Sequence, residues 1–391
     1  MNLKQKIKLR EWQNDAIQKW KSQNYKGIIN VVTGGGKTIF GIYAFYLLYE
    51  SDLVDNVIVV VPTKTLQDQW AANFLKMFNI DEKDISFSIK KTKKINILIN
   101  LTAQKLPNLT YDRTLLIADE CHRYGTDNNI KFLSKNYIAK IGLTATLERK
   151  YDDGVERVLN PYLGDIVYSY NLKQAIKDEV VTNYNLINIK TNLITEEKVE
   201  YDKIDNRIRK LSFQLKKEHS NELESKIKLL LIKRKSIINN SFYRTLVAAK
   251  LIMSNLDRKK IIFTETISQS EAIKKLCKNE GLDTLVYHSK MTRKDRLFSL
   301  RSFLDDDYHT LIGCKSLDEG FDVPNIDMGI IVSQSTTNRQ RIQRLGRTIR
   351  LFDNKRIPII YTLFTTEDEK EALYEEMMVN TNIKVEWKEM N

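Results

Sequence analysis

Short apolar runs alternate with amphipathic segments along the sequence, and this alternation is the feature that most restricts the fold. The run GIINVVT has the composition of a buried strand, and it is followed by a helical pattern through TIFGIYAFYLLYE. The strand pattern returns in NVIVVVP, NILINL, TLLIADE and KIGLTAT. Strands that alternate with helices form parallel sheets that are covered on both faces. The sequence therefore predicts an α/β fold with mainly parallel sheets.

The strand pattern stops after about residue 170 and resumes near residue 250, in KKIIFTE, TLVYHS and TLIGCK. The intervening segment is dense in charge, and Ile204, Ile208 and Leu211 have roughly helical spacing. A length of 391 residues also favours two domains. We therefore expect a first domain over residues 1–170, a linker with a charged helical arm over residues 171–250, and a second domain over residues 251–391.

The formal net charge of +13 favours a polyanionic partner, although a lysine-rich composition without such a partner is an equal alternative. Three cysteines without a CxxC pair argue against a disulfide framework or a zinc site. No apolar run is long enough to cross a bilayer, and MNLKQKIKLREW lacks the pattern of a signal peptide. We expect an intracellular protein without a membrane partner, either cytoplasmic or nucleoid-associated, or in the host cytoplasm if viral.

The segment TGGGKT follows the first predicted strand and opens the first predicted helix. Gly34 and Gly36 would let backbone N–H groups approach phosphate oxygens at a helix N-terminus. Lys37 would reach the β- and γ-phosphates of a nucleotide, and Thr38 would hold Mg²⁺. The general pattern has a glycine where this chain has Val31. The alternative interpretation is a tight glycine-rich turn without a ligand.

A pair of carboxylates, Asp119 and Glu120, ends the predicted strand TLLIAD. Open α/β sheets bind ligands at the carboxyl ends of their strands. Asp119 could anchor Mg²⁺, and Glu120 could take a proton from the attacking water. An acidic pair that only caps a turn is the alternative, and the preceding loop favours the catalytic interpretation.

The segment QRIQRLGRTIR contains four arginines at intervals of three residues, Arg341, Arg344, Arg347 and Arg350. This spacing places their guanidinium groups along one side of a helix. Phosphoryl transfer needs positive charge near the γ-phosphate in the transition state, and arginine supplies it with planar donors. The alternative is a solvated basic helix.

Taken in order, these segments resemble the motifs of superfamily two helicases and translocases. TGGGKT is similar to that family's phosphate loop, which accepts a small apolar residue in place of the first glycine. DECH resembles motif II, GLTAT motif III, EGFDVP motif V and QRLGRTIR motif VI. The resemblance implies two tandem RecA-like domains joined by the charged arm. It also implies ATP and Mg²⁺ as cofactors, with hydrolysis at the cleft between the domains.

The resemblance carries a role to each matching residue of this chain. The segment LREWQ resembles the family's adenine-reading segment, which implies that Gln13 reads the base. The implied ATP-binding residues are Gln13, Gly34, Gly35, Gly36, Lys37, Thr38, Asp119, Glu319, Gly320, Asp322 and Arg344. The implied catalytic residues are Glu120, Arg347 and Arg350, and the implied Mg²⁺ ligands are Thr38 and Asp119. The residues implied to couple hydrolysis to strand contact are His122, Thr144 and Thr146. The implied nucleic-acid contacts are Pro62, Thr63, Thr102, Gln104, Thr264 and Lys315.

The segments GLTATLERKYDDG and EGFDVP are more similar to one subgroup than to the DEAD-box RNA helicases. That subgroup contains XPB-type repair helicases, phage fork-remodelling helicases and motor subunits of type I and type III restriction enzymes. Leu147 and Lys150 depart from its pattern, which often has proline and a shorter approach to Asp-Gly. The implied function is an ATP-dependent DNA helicase or translocase acting on duplex, forked or single-stranded DNA.

Two alternatives stay open at this stage. One is an RNA helicase, with RNA in place of DNA as the partner. The other is a nucleotide-switched motor subunit of a nuclease or defence complex that unwinds nothing itself. The helical arm at residues 196–235 keeps the second alternative open, because it offers a surface for a protein partner.

Overall fold

The computed structural model describes most of the chain in two compact units. The described residues are 3–4, 7–32, 34–145, 153–170, 174, 184–218, 220–314, 326–333, 357–377 and 384–389. The first unit takes its described residues from Met1–Val181 and Met291–Asp307, and the second takes the others. The domain limits given above remain a prediction.

A seven-stranded sheet forms the centre of the first unit. Its strands are β1 (Lys26–Val31), β2 (Asn56–Val61), β3 (Ile85–Ser86), β4 (Ile95–Ile99), β5 (Tyr111–Asp119), β6 (Tyr137–Thr144) and β7 (Ile166–Tyr170). They lie in the order β3-β4-β2-β5-β6-β1-β7, and neighbouring strands pair in parallel. The predicted parallel α/β architecture is confirmed.

Helices cover both faces of this sheet. Those that precede residue 170 are α1 (Glu11–Ser22), α2 (Lys37–Glu50), α3 (Lys64–Met77), α4 (Asn100–Ala103), α5 (Asp127–Leu133) and α6 (Asn160–Leu163). Side chains of α1, α2 and α3 pack into the core on one face, and side chains of α5 and α6 pack into the core on the other.

Strand β5 shows why these strands are apolar throughout. Leu115 and Ile117 lie in the core beneath α2 and α3, whereas Leu116 and Ala118 lie in the opposite core. Successive side chains of a strand alternate between faces, so a strand buried on both faces has no polar alternation. Asp119 is the next residue on the α2 and α3 face, which places a carboxylate beside those helices.

The second unit contains another seven-stranded parallel sheet. Its strands are β8 (Asn185–Lys190), β9 (Lys260–Thr264), β10 (Leu285–Tyr287), β11 (Thr310–Cys314), β12 (Met328–Ile331), β13 (Ile359–Phe364) and β14 (Lys384–Glu389). The order is β10-β11-β9-β12-β13-β8-β14. Strand β8 lies within the segment predicted as the linker, and it pairs with β13 and β14.

The later helices include the predicted arm. They are α7 (Thr195–Lys217), α8 (Asn221–Asn239), α9 (Phe242–Met253), α10 (Ile267–Asn279), α11 (Arg293–Leu304) and α12 (Glu367–Met377). Helices α7 and α8 form the arm and pack against each other, with Ile204 and Ile208 of α7 buried. An ion pair of 3.1 Å between Lys233 and Glu200 also joins the two helices. Of the helices that the structure describes, none has the length and apolar character required to cross a bilayer.

Candidate functional site

Several of the predicted site residues lie at the carboxyl edge of the first sheet. Strands β4, β2, β5, β6 and β1 are successive neighbours, and all five run in parallel. The glycine-rich loop follows β1, Asp119 ends β5, and Thr144 ends β6. Pro62 and Thr63 follow β2 at the same edge. Ligands of open α/β sheets bind at this edge.

The loop after β1 requires its glycines. Gly34 has a φ of 78° and Gly36 a φ of 101°, conformations that side chains with a Cβ rarely adopt. A Cβ on Gly35 would lie 2.4 Å from Cγ1 of Val31, which is closer than any tolerated contact. Val31 is fully buried, so it fills the space beneath the loop where the general pattern has glycine.

Three side chains at the start of α1 hold the carbonyl groups of this loop. Arg10 Nη1 donates to Gly35 O at 3.0 Å, and Trp12 Nε1 donates to the same oxygen at 3.2 Å. Gln13 Nε2 donates to Gly36 O at 3.0 Å. Gln13 was predicted to read the nucleotide base, and the structure places it against the loop. The sequence analysis missed Arg10 and Trp12, and their position beside Gln13 in LREWQ was the one available signal.

Lys37 is suited to bind a phosphate. Its side chain is buried, and Nζ donates to the neutral carbonyl of Val31 at 3.1 Å. A buried ammonium is costly unless an anion or strong acceptors surround it. Thr38, in the first turn of α2, is half-buried. The N-terminus of this 14-residue helix adds partial positive charge. Lys37, Thr38 and the helix N-terminus therefore fit the phosphates of a nucleoside triphosphate.

Asp119 is a buried carboxylate with both oxygens engaged. Its Oδ2 accepts from Trp70 Nε1 at 2.8 Å, and its Oδ1 accepts from the Glu120 amide at 3.0 Å. Burial and the adjacent Glu120 carboxylate raise the pKa of Asp119 to about 7, against the opposing effects of Trp70 and of the Lys37 charge. Asp119 at the end of β5 and Lys37 at the start of α2 therefore lie at the same edge of the sheet.

Mg²⁺ binds proteins through one or two carboxylates together with water and substrate phosphates. Asp119 and Thr38 fit that pattern. In the part of the chain that the structure describes, no cluster of three or more His, Cys, Asp or Glu side chains could hold a metal ion by itself.

Glu120 has a backbone conformation that is uncommon for a residue with a side chain. Its φ of 50° and ψ of 47° lie in the left-handed region, and such residues concentrate at functional sites. His122 Nδ1 lies 3.4 Å from Glu120 Oε2 and 2.9 Å from Thr144 Oγ1. The structure thus joins the ends of β5 and β6 through His122. The coupling role predicted for His122 and Thr144 remains a prediction.

The predicted nucleic-acid contacts occupy varied positions. Thr63 caps α3, where its Oγ1 accepts from the Leu66 amide at 3.3 Å. Gln104, after β4 and α4, donates to Asn129 Oδ1 at 2.9 Å, and Pro62 and Thr102 are half-buried. Thr264 in the second unit is buried, and its hydroxyl lies 3.2 Å from Thr266 O and 3.3 Å from Gly313 O. The contacts of these residues with nucleic acid remain a prediction.

The remaining predicted site residues lie outside the described residues. They are Thr146, Lys315, Glu319, Gly320, Asp322, Arg344, Arg347 and Arg350.

Two family models match this chain, and together they include most of the residues discussed above. Residues 6–149 match the model described as "Type III restriction enzyme, res subunit". Residues 243–352 match the model described as "Helicase conserved C-terminal domain".

Individual proteins show the same similarity at low identity. The DNA 3'-5' translocase XPB2 of Sulfurisphaera tokodaii is 26% identical over 374 residues, which cover 91% of this chain and 82% of that protein. The chain spans 65% of a putative helicase of a Sulfolobus islandicus filamentous virus, at 22% identity. It spans 54% and 50% of two further putative helicases, from Haloarcula marismortui and Saccharomyces cerevisiae.

Two solved structures share the fold. Saccharomyces cerevisiae Dbp5 bound to RNA and ADP BeF3 superposes with a TM-score of 0.62 at 14% identity, over 98% of this chain and 90% of that one. The Pyrococcus furiosus Hef helicase domain gives a TM-score of 0.52 at 17% identity, over 95% and 98%. At this identity the likeness establishes the fold alone.

Proposed function

The chain belongs to the superfamily two helicases and is a nucleic-acid-dependent ATPase, and on this premise we propose that it moves along or unwinds duplex or branched DNA. The observation that carries the proposal is that buried Lys37 and Asp119 and half-buried Glu120 lie at one sheet edge. The XPB2 relative is a DNA 3'-5' translocase, which supports DNA as the substrate.

The first unit supplies the groups that bind and activate the nucleotide. The loop glycines and Lys37 hold the phosphates, and Gln13 reads the base. Thr38 and Asp119 would hold Mg²⁺, which would supply positive charge beside the phosphate oxygens. Glu120 orients the attacking water and accepts its proton.

Arg347 and Arg350 supply positive charge to the same reaction, while Arg344, Glu319, Gly320 and Asp322 contribute to nucleotide binding. Arginine that acts in the transition state changes turnover more than affinity. Arg347→Ala is expected to lower kcat by about 10³-fold or more, with little change in KM for ATP. Steady-state ATPase kinetics at saturating DNA measure this split. A large rise in KM with an unchanged kcat would instead make Arg347 a binding residue.

The segments after β2 and β4 hold the nucleic-acid backbone. Pro62, Thr63, Thr102 and Gln104 would make these contacts in the first unit, and the segments of Thr264 and Lys315 would do so in the second. Contacts to phosphates position a protein without reading bases, so weak sequence preference is expected. The net charge of +13 supports binding to a polyanion.

The arm is proposed as the surface for a protein partner. Leu229 and Ile232 of α8 are 67% and 59% exposed, and the adjacent Lys228 and Lys235 are also exposed. An acidic partner with apolar side chains would suit this surface. Because the proposed substrate is DNA, the proposed compartment is intracellular: cytoplasm, nucleoid or, for a viral protein, the host cytoplasm.

A panel of nucleic acids tests the proposal. ATP turnover is measured with single-stranded, duplex, forked and four-way DNA and with matched RNA, and strand displacement is measured on the same substrates. DNA is expected to stimulate turnover more than RNA does. Stronger stimulation by RNA would favour an RNA helicase. Stimulated turnover without displacement or translocation would favour the nucleotide-switched subunit.

A further inference from the structure

Trp70 lies in the helix that joins two parts of the carboxyl edge, the segment at Thr63 and the carboxylate of Asp119. This helix, α3, follows β2 after Pro62 and Thr63, and Thr63 caps its N-terminus. Pro62 and Thr63 belong to a segment proposed to hold nucleic acid. The side chain of Trp70 is fully buried in the core beneath α2 and α3. Base stacking by this indole is therefore excluded, and its contacts within the core define what it can do.

The indole contacts the two parts of the proposed nucleotide site at once. A Cβ on Gly41 would lie 2.8 Å from Trp70 Cη2, so the glycine in α2, one turn after Thr38, lets the ring approach that helix. At its other end, Nε1 donates to Asp119 Oδ2 at 2.8 Å. Trp70 thus lies against the helix that follows the phosphate loop and donates to the carboxylate proposed to anchor Mg²⁺.

The hydrogen bond constrains the orientation of that carboxylate. Asp119 Oδ1 already accepts from the Glu120 amide at 3.0 Å. With one donor on each oxygen, rotation of the carboxylate breaks at least one bond in a buried environment, which is costly. Groups that hold a metal ligand in place are worth about 10–100-fold in metal affinity.

We propose that Trp70 is a positioning residue for the metal-binding carboxylate of Asp119, and that through α3 it ties the orientation of this carboxylate to the segment at Pro62 and Thr63. A shift of α3 would move the indole donor away from Asp119. This inference rests on the proposed function, because it assumes that the site binds Mg²⁺ with a nucleotide.

The chain provides a matched control in Trp20. This residue is also fully buried in the same core, and its Nε1 donates to Lys140 O at 3.0 Å, away from the site. Replacing either tryptophan by phenylalanine removes one buried indole and one hydrogen bond. A role limited to packing would give similar consequences in both variants.

The experiment compares Trp70→Phe with Trp20→Phe in the full chain. Mn²⁺ is titrated into the protein with ADP, and free Mn²⁺ is followed by electron paramagnetic resonance. Trp70→Phe is expected to weaken Mn²⁺ binding about tenfold or more, and Trp20→Phe to leave it unchanged. The Mg²⁺ concentration that half-activates ATP turnover should rise in parallel. Equal Mn²⁺ affinity in the two variants would overturn the inference.

A second substitution covers the case in which Trp70→Phe does not fold. Benzothienylalanine at position 70 keeps the size and shape of indole but lacks the N–H donor. The same loss of Mn²⁺ affinity is expected, and wild-type affinity would overturn the inference. If the wild-type chain shows no nucleotide-dependent Mn²⁺ binding and no ATP turnover, the proposed function itself fails. If the wild type binds and turns over while both position-70 variants match it, only the role of Trp70 fails.

Discussion

The carboxyl edges of the two sheets have the same strand architecture but treat charge differently. In the first unit, buried Lys37 is bonded to a neutral carbonyl, and buried Asp119 lies next to a second carboxylate. In the second unit, buried Arg244 donates to Glu369 at 2.5 Å and also to Thr365 Oγ1 at 3.0 Å. Among the described residues, the first edge keeps charges that a ligand can neutralise, whereas the buried charge of Arg244 at the second edge is neutralised by Glu369.

Neutral polar groups at the second edge also form hydrogen bonds with one another. Gln269 Nε2 donates to Asn239 O at 2.8 Å, and Ser333 Oγ lies 2.7 Å from Gln269 Oε1. A buried network whose members satisfy one another makes a structure rigid and unique. The comparison indicates that substitutions of Lys37, Asp119 or Glu120 at the first edge should mainly cost activity, and that substitutions in the Arg244 and Gln269 contacts at the second should mainly cost stability.

The largest expected effect is that of Lys37→Ala. Loss of the buried ammonium removes the charge proposed to bind the nucleotide phosphates, so ATP turnover should fall to background. Lys26→Ala is the matched control, since Lys26 is exposed at the opposite end of β1. Turnover is measured with saturating DNA, and the unfolding midpoint is measured alongside. Residual turnover near the wild-type rate would remove Lys37 from the site.

Glu120→Gln should separate binding from hydrolysis at the same edge. The amide keeps the shape of the side chain but cannot accept a proton, so turnover should fall by about 10²–10⁴-fold. Nucleotide affinity, measured with a fluorescent ATP analogue, should stay close to that of the wild type. Glu50→Gln, at the exposed end of α2, serves as the control. Near-normal turnover would show that another group takes the proton.

Arg244→Met tests the second edge. It leaves the Glu369 carboxylate, which is 13% exposed, without its guanidinium partner. Removing one member of a buried pair lowers the free energy of unfolding by about 3–5 kcal/mol. Denaturant titration measures the loss, with Arg209→Met as the control, because Arg209 pairs with Asp205 while 77% exposed. A variant as stable as the control would show that this edge does not depend on its internal pairing.

The smallest expected effect is one that the two units should share. Burial lowers the pKa of Lys140 in the first unit and of Lys260 in the second to about 8. From about pH 8 to the ordinary lysine pKa of 10.5, the unfolded chain binds more protons than the folded chain. Stability contributed by these groups therefore rises over that interval. Thermal unfolding of Lys140→Met and Lys260→Met should each show a smaller rise between pH 8 and pH 10 than the wild type. An unchanged rise in both variants would contradict the stated pKa direction.

Much of the first edge was predictable because its signals are local. The glycines of the loop are required by backbone conformation, and Lys37 and Thr38 follow at a fixed offset. Asp119 and Glu120 end an apolar strand whose position is visible in the sequence. The contacts at the second edge were harder to predict from the sequence. The pairing of Arg244 with Glu369 joins residues 125 positions apart, and neither belongs to a recognisable motif.

By itself the sequence determined the two parallel sheets, the charged helical arm, the glycine-rich loop and the carboxylate pair, because short-range periodicity and backbone preference are properties of neighbouring residues. The tertiary structure alone decided that Arg10 and Trp12 hold the loop and that Trp70 donates to Asp119, 49 positions away. Packing of α1 and α3 into the core of the first sheet brings these donors to their acceptors, because a buried donor bonds to the acceptor that the fold places within reach.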